Sequence, residues 1–263
     1  MYRKIMYHNI IFSVVTISKD NRLGLLNTLK SVSDQDYSNI EHIVIDGDSA
    51  DGSQALLENF PHSKKYSWSS SSDTGISNAF NKGLDRITGE LVLFLNSGDE
   101  FFSKETVSQI VRSYCSEGWI CASGTVGHKI KHGQVSYYSP PRISYHFLSF
   151  FMFLPHQGFI CESQLHRQYK FSESIKTSMD YDLFLRMLKG VKIYYLDFIV
   201  SVREPGGISS DTAKRISEQS HIRLAYSNST LMRLIIKCIN LLIYLKCYLK
   251  IGSPFSVESS KIR

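Results

Sequence analysis

In the stretch GELVLFLNSGDEFF (residues 89–102), an apolar run from Leu91 to Leu95 stops at Asn96-Ser97-Gly98-Asp99, and the chain turns apolar again at Phe101 and Phe102. An amide, a hydroxyl and a carboxylate at the mouth of a strand that reads as fully buried are groups suited to holding a polar or charged ligand. Two more clusters share the pattern. Thr16-Ile17-Ser18 closes the run IIFSVVTI (10–17), and Asp46-Gly47-Asp48 closes EHIVID (41–46). Asp, Asn, Ser and Gly also favour turns and helix caps for reasons of their own, and Asp51 with Gly52 and Ser53 reads as the N-cap region of a helix. Asp46 and Asp99 differ because each follows a buried strand directly, which is where α/β sheets bind ligands.

The elements that must position these groups alternate. Apolar, β-rich runs occur at 10–17, 41–46, 65–70 (KYSWSS, the weakest) and 91–96. Between them, NRLGLLNTLKSVSDQ carries Leu23, Leu26, Leu29 and Val32 at helical spacing, and SQALLENF and GISNAFNKGLDRI continue the helical pattern. Strand and helix in alternation predict a parallel sheet wrapped by helices, with every polar mouth on one edge. The second half is less regular: strands are expected in EGWICASGTVG (117–127) and VSYYSPP (135–141). An aromatic run follows (145–154), then Pro155-His156-Gln157-Gly158, the helix MDYDLFLRMLK, a further strand, and a glycine-containing loop leading into another helix.

On the helix MDYDLFLRMLK, Asp182 and Arg186 are spaced i, i+4 and read as a surface pair. Asp180 shares the inward face with Leu183 and Phe184, so it is either an N-cap or a carboxylate aimed into a cleft.

Length and composition fit one sizeable α/β domain with an appendage: 263 residues, 43% apolar and 21% charged. The net charge of +6 is compatible with an anionic membrane or a phosphate-bearing substrate as well as nucleic acid. The odd number of cysteines, with no Cys-x-x-Cys, argues against a disulfide framework or zinc site and suits a reducing cytosol. The apolar run near the N-terminus is interrupted by Ser13 and Thr16 and ends in Lys-Asp-Asn-Arg, so it reads as a first strand rather than a signal peptide.

Taken together, VVTISKDNRLGLLNTLKSVSDQDY, IDGDSADGS, SDTGISNAFNKGLDRITGELVLFLNSGDEF and MDYDLFLRM followed by GGIS resemble a family 2 glycosyltransferase of the GT-A fold, a Rossmann-like, mostly parallel sheet flanked by helices. The likeness is greatest to the branch that assembles bacterial surface polysaccharides, and it runs from about Ile10 to Ser210. It implies an inverting transfer from a nucleotide-sugar donor, a UDP-sugar, to a lipid-linked glycan. The family's usual Asp-x-Asp is here Asn96-Ser97-Gly98-Asp99, which leaves Asp99 as the ionised ligand for Mg²⁺ or Mn²⁺. The resemblance also assigns Asp46, Thr16, Ser18 and Asp73 to the nucleotide-sugar, with Asn96 and Ser97 beside them, and the i, i+4 spacing of Asn78 and Lys82 on the next helix points both at the donor. Asp180 becomes the catalytic base, and His156, Gln157, Arg203, Gly206 and Gly207 face the acceptor or the diphosphate. The competing readings are a non-catalytic nucleotide-sugar binding protein and a nucleotidyltransferase, although TISKDNRLG lacks the glycine-rich basic loop that the latter needs.

The charge excess lies in the tail. No acidic residue occurs from Gln219 to Val257, and LMRLIIKCINLLIYLKCYLKI (231–251) places four cations among Leu and Ile. Four cations make a membrane span costly. On a helix, Leu231, Leu234, Ile235, Leu241, Leu242, Leu245 and Leu249 share one arc, with Arg233, Lys237, Asn240 and Tyr244 opposite. That pattern predicts an amphipathic helix lying on an anionic membrane, or one packed on the protein or on a second subunit. The expectation is a catalytic domain over 1–215 and a membrane-associating tail over 216–263. The protein would be cytoplasmic, peripheral on the inner face of the cell membrane, and close to a polyprenyl-diphosphate-linked acceptor. Homo-oligomerisation is compatible with this, and nucleic acid is not an expected partner.

Overall fold

The computed structural model describes residues 9–130, 134–205, 212–227 and 229–248. Strands β1 (Phe12–Ser18), β2 (Ile40–Asp46), β3 (Lys65–Ser70) and β4 (Leu91–Phe94) run parallel in the order β3-β2-β1-β4. Helices α1 (Arg22–Ser33), α2 (Ser53–Asn59) and α3 (Ile76–Leu84) make the crossovers between them. Every residue of β1, β2 and β4 is buried, as strands covered by helices on both faces require. β3 alternates between exposed and partly buried positions at the sheet's end, which explains its weak sequence signal.

Beyond β4 the sheet changes character. β8 (Phe159–Glu162) pairs antiparallel with β4, and β6 (Cys121–Lys129) pairs antiparallel with β8. β9 (Ile193–Arg203) then runs parallel to β6, and β5 (Glu100–Phe101) pairs antiparallel with β9. β7 (Val135–Tyr138) adds a hairpin partner to β6. The parallel half carries the α/β pattern read from the sequence, and the second half mixes directions.

The core has two main layers. Val15, Ile43, Ile45, Phe80 and Phe94 join Tyr181, Leu183 and Phe184 of α6 (Met179–Met187) on one face. Phe12, Val14, Leu91, Leu93 and Val107, Ile110 and Val111 of α4 (Thr106–Glu117) fill the other. Between strands, Glu41 is buried at 2% exposure and collects Ser13 Oγ at 2.6 Å, Gly89 N–H at 2.8 Å and Lys65 Nζ at 3.1 Å. Burial pushes its carboxyl up, but the donors from Ser13, Thr88 and Gly89 outweigh it and hold the pKa down at about 2. Cys121 and Cys161 face each other across β6 and β8, and both are buried free thiols. The aromatic run at 145–154 is mostly interior, with Leu148, Phe153 and Leu154 buried, while Phe147 is exposed.

At the C-terminal side, α7 (Thr212–Ala225) packs on α6 and α8 (Thr230–Tyr248) packs on α7. The division expected at 215/216 falls inside α7, and Ile222 of α7 belongs to the main core. The arc expected to face water on α8 is corrected in one respect: Asn240 is buried, and its Oδ1 accepts from Arg223 Nη2 at 2.6 Å. Arg223, itself 1% exposed, needs an acceptor there, and Asn240 with Ile236 forms the packing face. The leucine arc therefore points outward, with Leu231 68%, Leu234 59% and Leu242 65% exposed.

Candidate active site

Register brings the polar mouths level. Ser18, Asp46 and Ser70 end three adjacent parallel strands as direct partners, Ser18 opposite Asp46 and Asp46 opposite Ser70. Ser97 N–H reaches Ile17 O at 3.0 Å, which brings the Asn96–Asp99 turn beside the end of β1. The mouth is lined by loops in uncommon conformations: Asp20 (φ 49°) and Asp48 (φ 63°) are non-glycine residues in the left-handed region.

The Asn96–Asp99 turn is held from α1. Thr28 Oγ1 accepts Gly98 N–H at 2.9 Å and donates to Asp99 O at 2.7 Å. Gly98 sits at φ 98°, a conformation that favours glycine, and a Cβ there would collide with the Glu204 carboxylate. Asn21 caps α1 by accepting Gly24 N–H at 3.1 Å, and its Nδ2 donates to Ser97 O and Glu204 Oε2, each at 3.2 Å. Asn21 and Glu204 are thus part of the site, and the sequence signalled neither. The cap position before an apolar-periodic run was the one available clue to Asn21.

Asp99 is 4% exposed, and its carboxylate accepts Asn96 N–H and Glu204 N–H, each at 3.2 Å. Burial raises its pKa to about 6, against the pull of those N–H groups, the Gln157 side chain and the Arg203 charge. Gln157 and Arg203 therefore come to Asp99. The reason for Arg203 is register: Glu100 pairs with Val202 and Phe101 with Ser201, so the antiparallel β5–β9 pair carries Arg203 to the level of Asp99.

At the other end, Asp180 is half-buried in the first turn of α6 and accepts Tyr181 N–H at 2.8 Å. It is not the N-cap, which is Ser178. The start of α6 is satisfied from α7: Glu218 accepts Thr177 N–H and Ser178 N–H at 2.7 Å and Lys176 N–H at 2.8 Å. Asp180 is thereby left free of capping duty. Burial raises its pKa to about 6, with Arg215 opposing and Glu218 assisting the rise. Arg215, also on α7, acts electrostatically on Arg203 as well. The Arg203 charge thus acts on Asp99 and the Arg215 charge on Asp180, while the two guanidinium groups repel each other, with no direct ion pair among the four. Neither Arg215 nor Glu218 was expected as part of the site, because both lie on a helix read as the edge of the tail.

The other expected site residues divide. Ser18 is at the mouth, and its buried Oγ has no partner among the described residues. Thr16 is fully buried one pleat deeper, with its hydroxyl 2.9 Å from His42 Nε2. Asp46 is fully buried and accepts from Ser49 N–H at 3.0 Å and from the hydroxyls of Ser49 and Ser70, each at 2.6 Å. Asp73 accepts Gly75 N–H at 2.9 Å, and a Cβ on Gly47 would lie 2.7 Å from its Oδ2, so it covers the end of β2. Asn78 donates to Glu173 at 3.2 Å, and Lys82 Nζ to Ser72 O at 2.9 Å and Ser71 Oγ at 3.1 Å. These two α3 side chains fix neighbouring loops rather than the Asn96–Asp99 turn. His156 lies among Phe80, Phe94 and Phe171 with Nε2 buried and without a partner among the described residues, and burial lowers its pKa to about 4. It is a neutral ring beneath the site, while Gln157 beside it reaches Asp99. Gly206 and Gly207 lie outside the described residues. Asp182, expected on the surface, is buried instead: Arg186 binds it at 2.8 Å and Tyr226 Oη, just past the end of α7, donates to it at 2.9 Å.

The turn's donor set suits a hard divalent cation. Asp99 offers a carboxylate and Asn96 a buried Oδ1 without a partner among the described residues, both oxygen donors on one turn. Among the described residues no cluster of three or more His, Cys, Asp or Glu side chains forms a closed metal cage. A cation here would keep most of its coordination for phosphate oxygens and water, as Mg²⁺ does.

A half-parallel sheet with helices on both faces, whose acidic and polar mouths meet at one edge, defines a GT-A-type nucleotide-binding fold. The solved S. aureus TarS (residues 1–349, in complex with UDP-GlcNAc) superposes with a TM-score of 0.69 over 95% of this chain and 76% of that one, at 17% identity. The model of glycosyl transferase family 2 matches residues 13–173, more than half of the chain, and the protein belongs to that family. An uncharacterized glycosyltransferase of Mycobacterium tuberculosis is 41% identical over 107 residues, 40% of each chain. The GalNAc(5)-diNAcBac-PP-undecaprenol beta-1,3-glucosyltransferase of Campylobacter jejuni is 31% identical over 94 residues, 35% of this chain and 30% of that one. The chain thus spans well under half the length of the curated relatives it matches, and the family match ends before Asp180 and the arginines.

Proposed function

We propose that this protein is an inverting glycosyltransferase. It would move a sugar from a nucleoside diphosphate sugar, a UDP-sugar, to a glycan carried on a polyprenyl diphosphate, during surface polysaccharide assembly. The observation that carries this reading is the meeting of Ser18, Asp46 and the Asn96–Asp99 turn at one edge of the sheet, with Glu204 N–H docked on Asp99 and the Arg203 charge acting on the same carboxylate. A diphosphate leaving group gains negative charge as the glycosidic bond breaks, and fixed guanidinium groups stabilise it without reorganising.

In this mechanism Ser18, Asp46, Asp73 and Ser97 line the nucleotide end, and Asn96 and Gln157 flank Asp99. Arg203 and Arg215 face the diphosphate. Asp180 accepts the proton of the acceptor hydroxyl as its oxygen attacks the anomeric carbon opposite the departing diphosphate, and the configuration inverts. A carboxyl pushed up to about 6 is a better base than an ordinary one and is still ionised at neutral pH. Asp99 and Asn96 would hold Mg²⁺ or Mn²⁺, which when bound supplies further positive charge against the diphosphate. Glu218 acts only through α6, by fixing its first turn.

The lipid-linked acceptor is supported by the printed name of the Campylobacter relative and by α8. No described helix is long and apolar enough to cross a membrane. The outward leucines of α8 suit the interface of the inner leaflet, with Arg233 and Lys237 exposed beside them. The tail would then serve twice, with α7 completing the site and α8 meeting the membrane. The reading is tested by release of UDP from a panel of UDP-sugars, with and without Mn²⁺ and with an acceptor lipid. No nucleotide release from any UDP- or GDP-sugar would instead favour a binding protein.

A further inference from the structure

A second concavity of about 960 Å³ lies at the opposite end of α6 from Asp180. Its wall includes Tyr145, Tyr169, Leu185, Val191 and Tyr226, and Met232 from the first turn of α8. His146, Arg186, Lys189 and Lys192 also line it, and among the described residues no Asp or Glu does. Arg186 is committed to Asp182, whereas Lys189 and Lys192 are exposed and have no ion-pair partner among the described residues. The mechanism above uses none of these groups.

We infer that this concavity binds the phosphate head of an anionic membrane lipid, whose chains lie against the exposed leucines of α8. Two observations meet here. The hollow combines apolar and aromatic walls with uncompensated positive charge, which suits a phosphodiester set on a hydrocarbon stem. Met232 lines it from α8, and Leu231 and Ile235 beside it on the same turn are exposed, so an apolar surface adjoins the hollow. A free anion would gain nothing from that face, and an apolar partner alone would gain nothing from the lysines. The inference deepens the membrane reading and rests on it. Its consequence is orientation, because a head held at the far end of α6 would fix the tilt of Asp180 relative to the membrane plane.

The test is flotation of the full chain with vesicles of phosphatidylcholine, alone or mixed with phosphatidylglycerol. Wild type is expected to float with the mixed vesicles. Lys189→Gln with Lys192→Gln, both exposed and remote from Asp180, should weaken that binding about 30-fold without changing the melting temperature or acceptor-independent UDP release. Leu234→Glu with Leu242→Glu should abolish it. Equal flotation of the lysine variant overturns the head site. So does a melting-temperature rise with inorganic phosphate alone that matches the rise with mixed vesicles, since the hollow would then take a soluble anion. Loss of a dimer in the leucine variant, with vesicle binding intact, would reassign the α8 face to a second copy. UDP release is scored separately, so failure of the glycosyltransferase reading is distinguishable from failure of this one.

Discussion

The backbone N–H of Glu204 donates to Asp99 Oδ1 at 3.2 Å, across 105 positions of sequence. This contact ties the end of β9 to the turn after β4, and the β5–β9 pairing beside it brings Arg203 to the same carboxylate. On α7, Arg215 acts electrostatically on both Arg203 and Asp180. The site therefore depends on two long-range dockings, one through a two-residue strand and one through a helix.

Asp180→Asn removes the proposed base and leaves its shape. Transfer should fall by at least about 100-fold, the usual scale of general-base catalysis, while UDP-sugar affinity measured by calorimetry stays within about twofold of wild type. Parallel loss of donor affinity would instead make Asp180 a structural residue of α6.

Arg215→Lys keeps the charge and loses the guanidinium fork. In the proposed mechanism Arg215 meets the leaving group from α7, so kcat should fall by about 10- to 100-fold, with little change in melting temperature. Unchanged turnover would remove α7 from the mechanism.

The pH profile should carry both carboxyls. Each is raised to about 6 by burial, and each acts ionised, so turnover rises with pH. Well below 6 the logarithm of the rate should climb with a slope of two, then level off above about 7. Residual turnover of Asp99→Asn should show a slope of one, and a slope of one in the wild type would mean that one of the acids is not required.

Stability should move the other way. The folded pKa of Asp99 lies above its unfolded value of 3.8, so its stabilising contribution is complete below that value and is lost as pH rises through about 6. Ionised Asp99 is then a cost of about 3 kcal/mol at neutral pH. Asp99→Asn should recover about 2 kcal/mol of it, since the amide keeps one acceptor for two N–H donors. Urea unfolding at pH 7.5 should show this gain, and at pH 4 it should largely vanish.

What the sequence determined is local. Helix and strand periods between Ile10 and Leu95 specify four parallel strands, and a βα unit carries each polar cluster to the carboxyl end of its own strand. Hence Ser18, Asp46 and Asp99 were legible, and so was the inward turn of Asp180 on α6. What tertiary structure alone decided was which distant segment meets which. β5 has two residues and no periodicity, so nothing local announces that Arg203 will lie opposite Asp99. Glu218 and Arg215 sit on a helix whose pattern says only that one side is buried. On α8 both the leucine arc and the Ile236 side are apolar, and the choice fell to Asn240, because the buried Arg223 needed an acceptor. Periodicity fixes faces, while pairing between segments is set by registers and buried charges that meet only after the chain has closed.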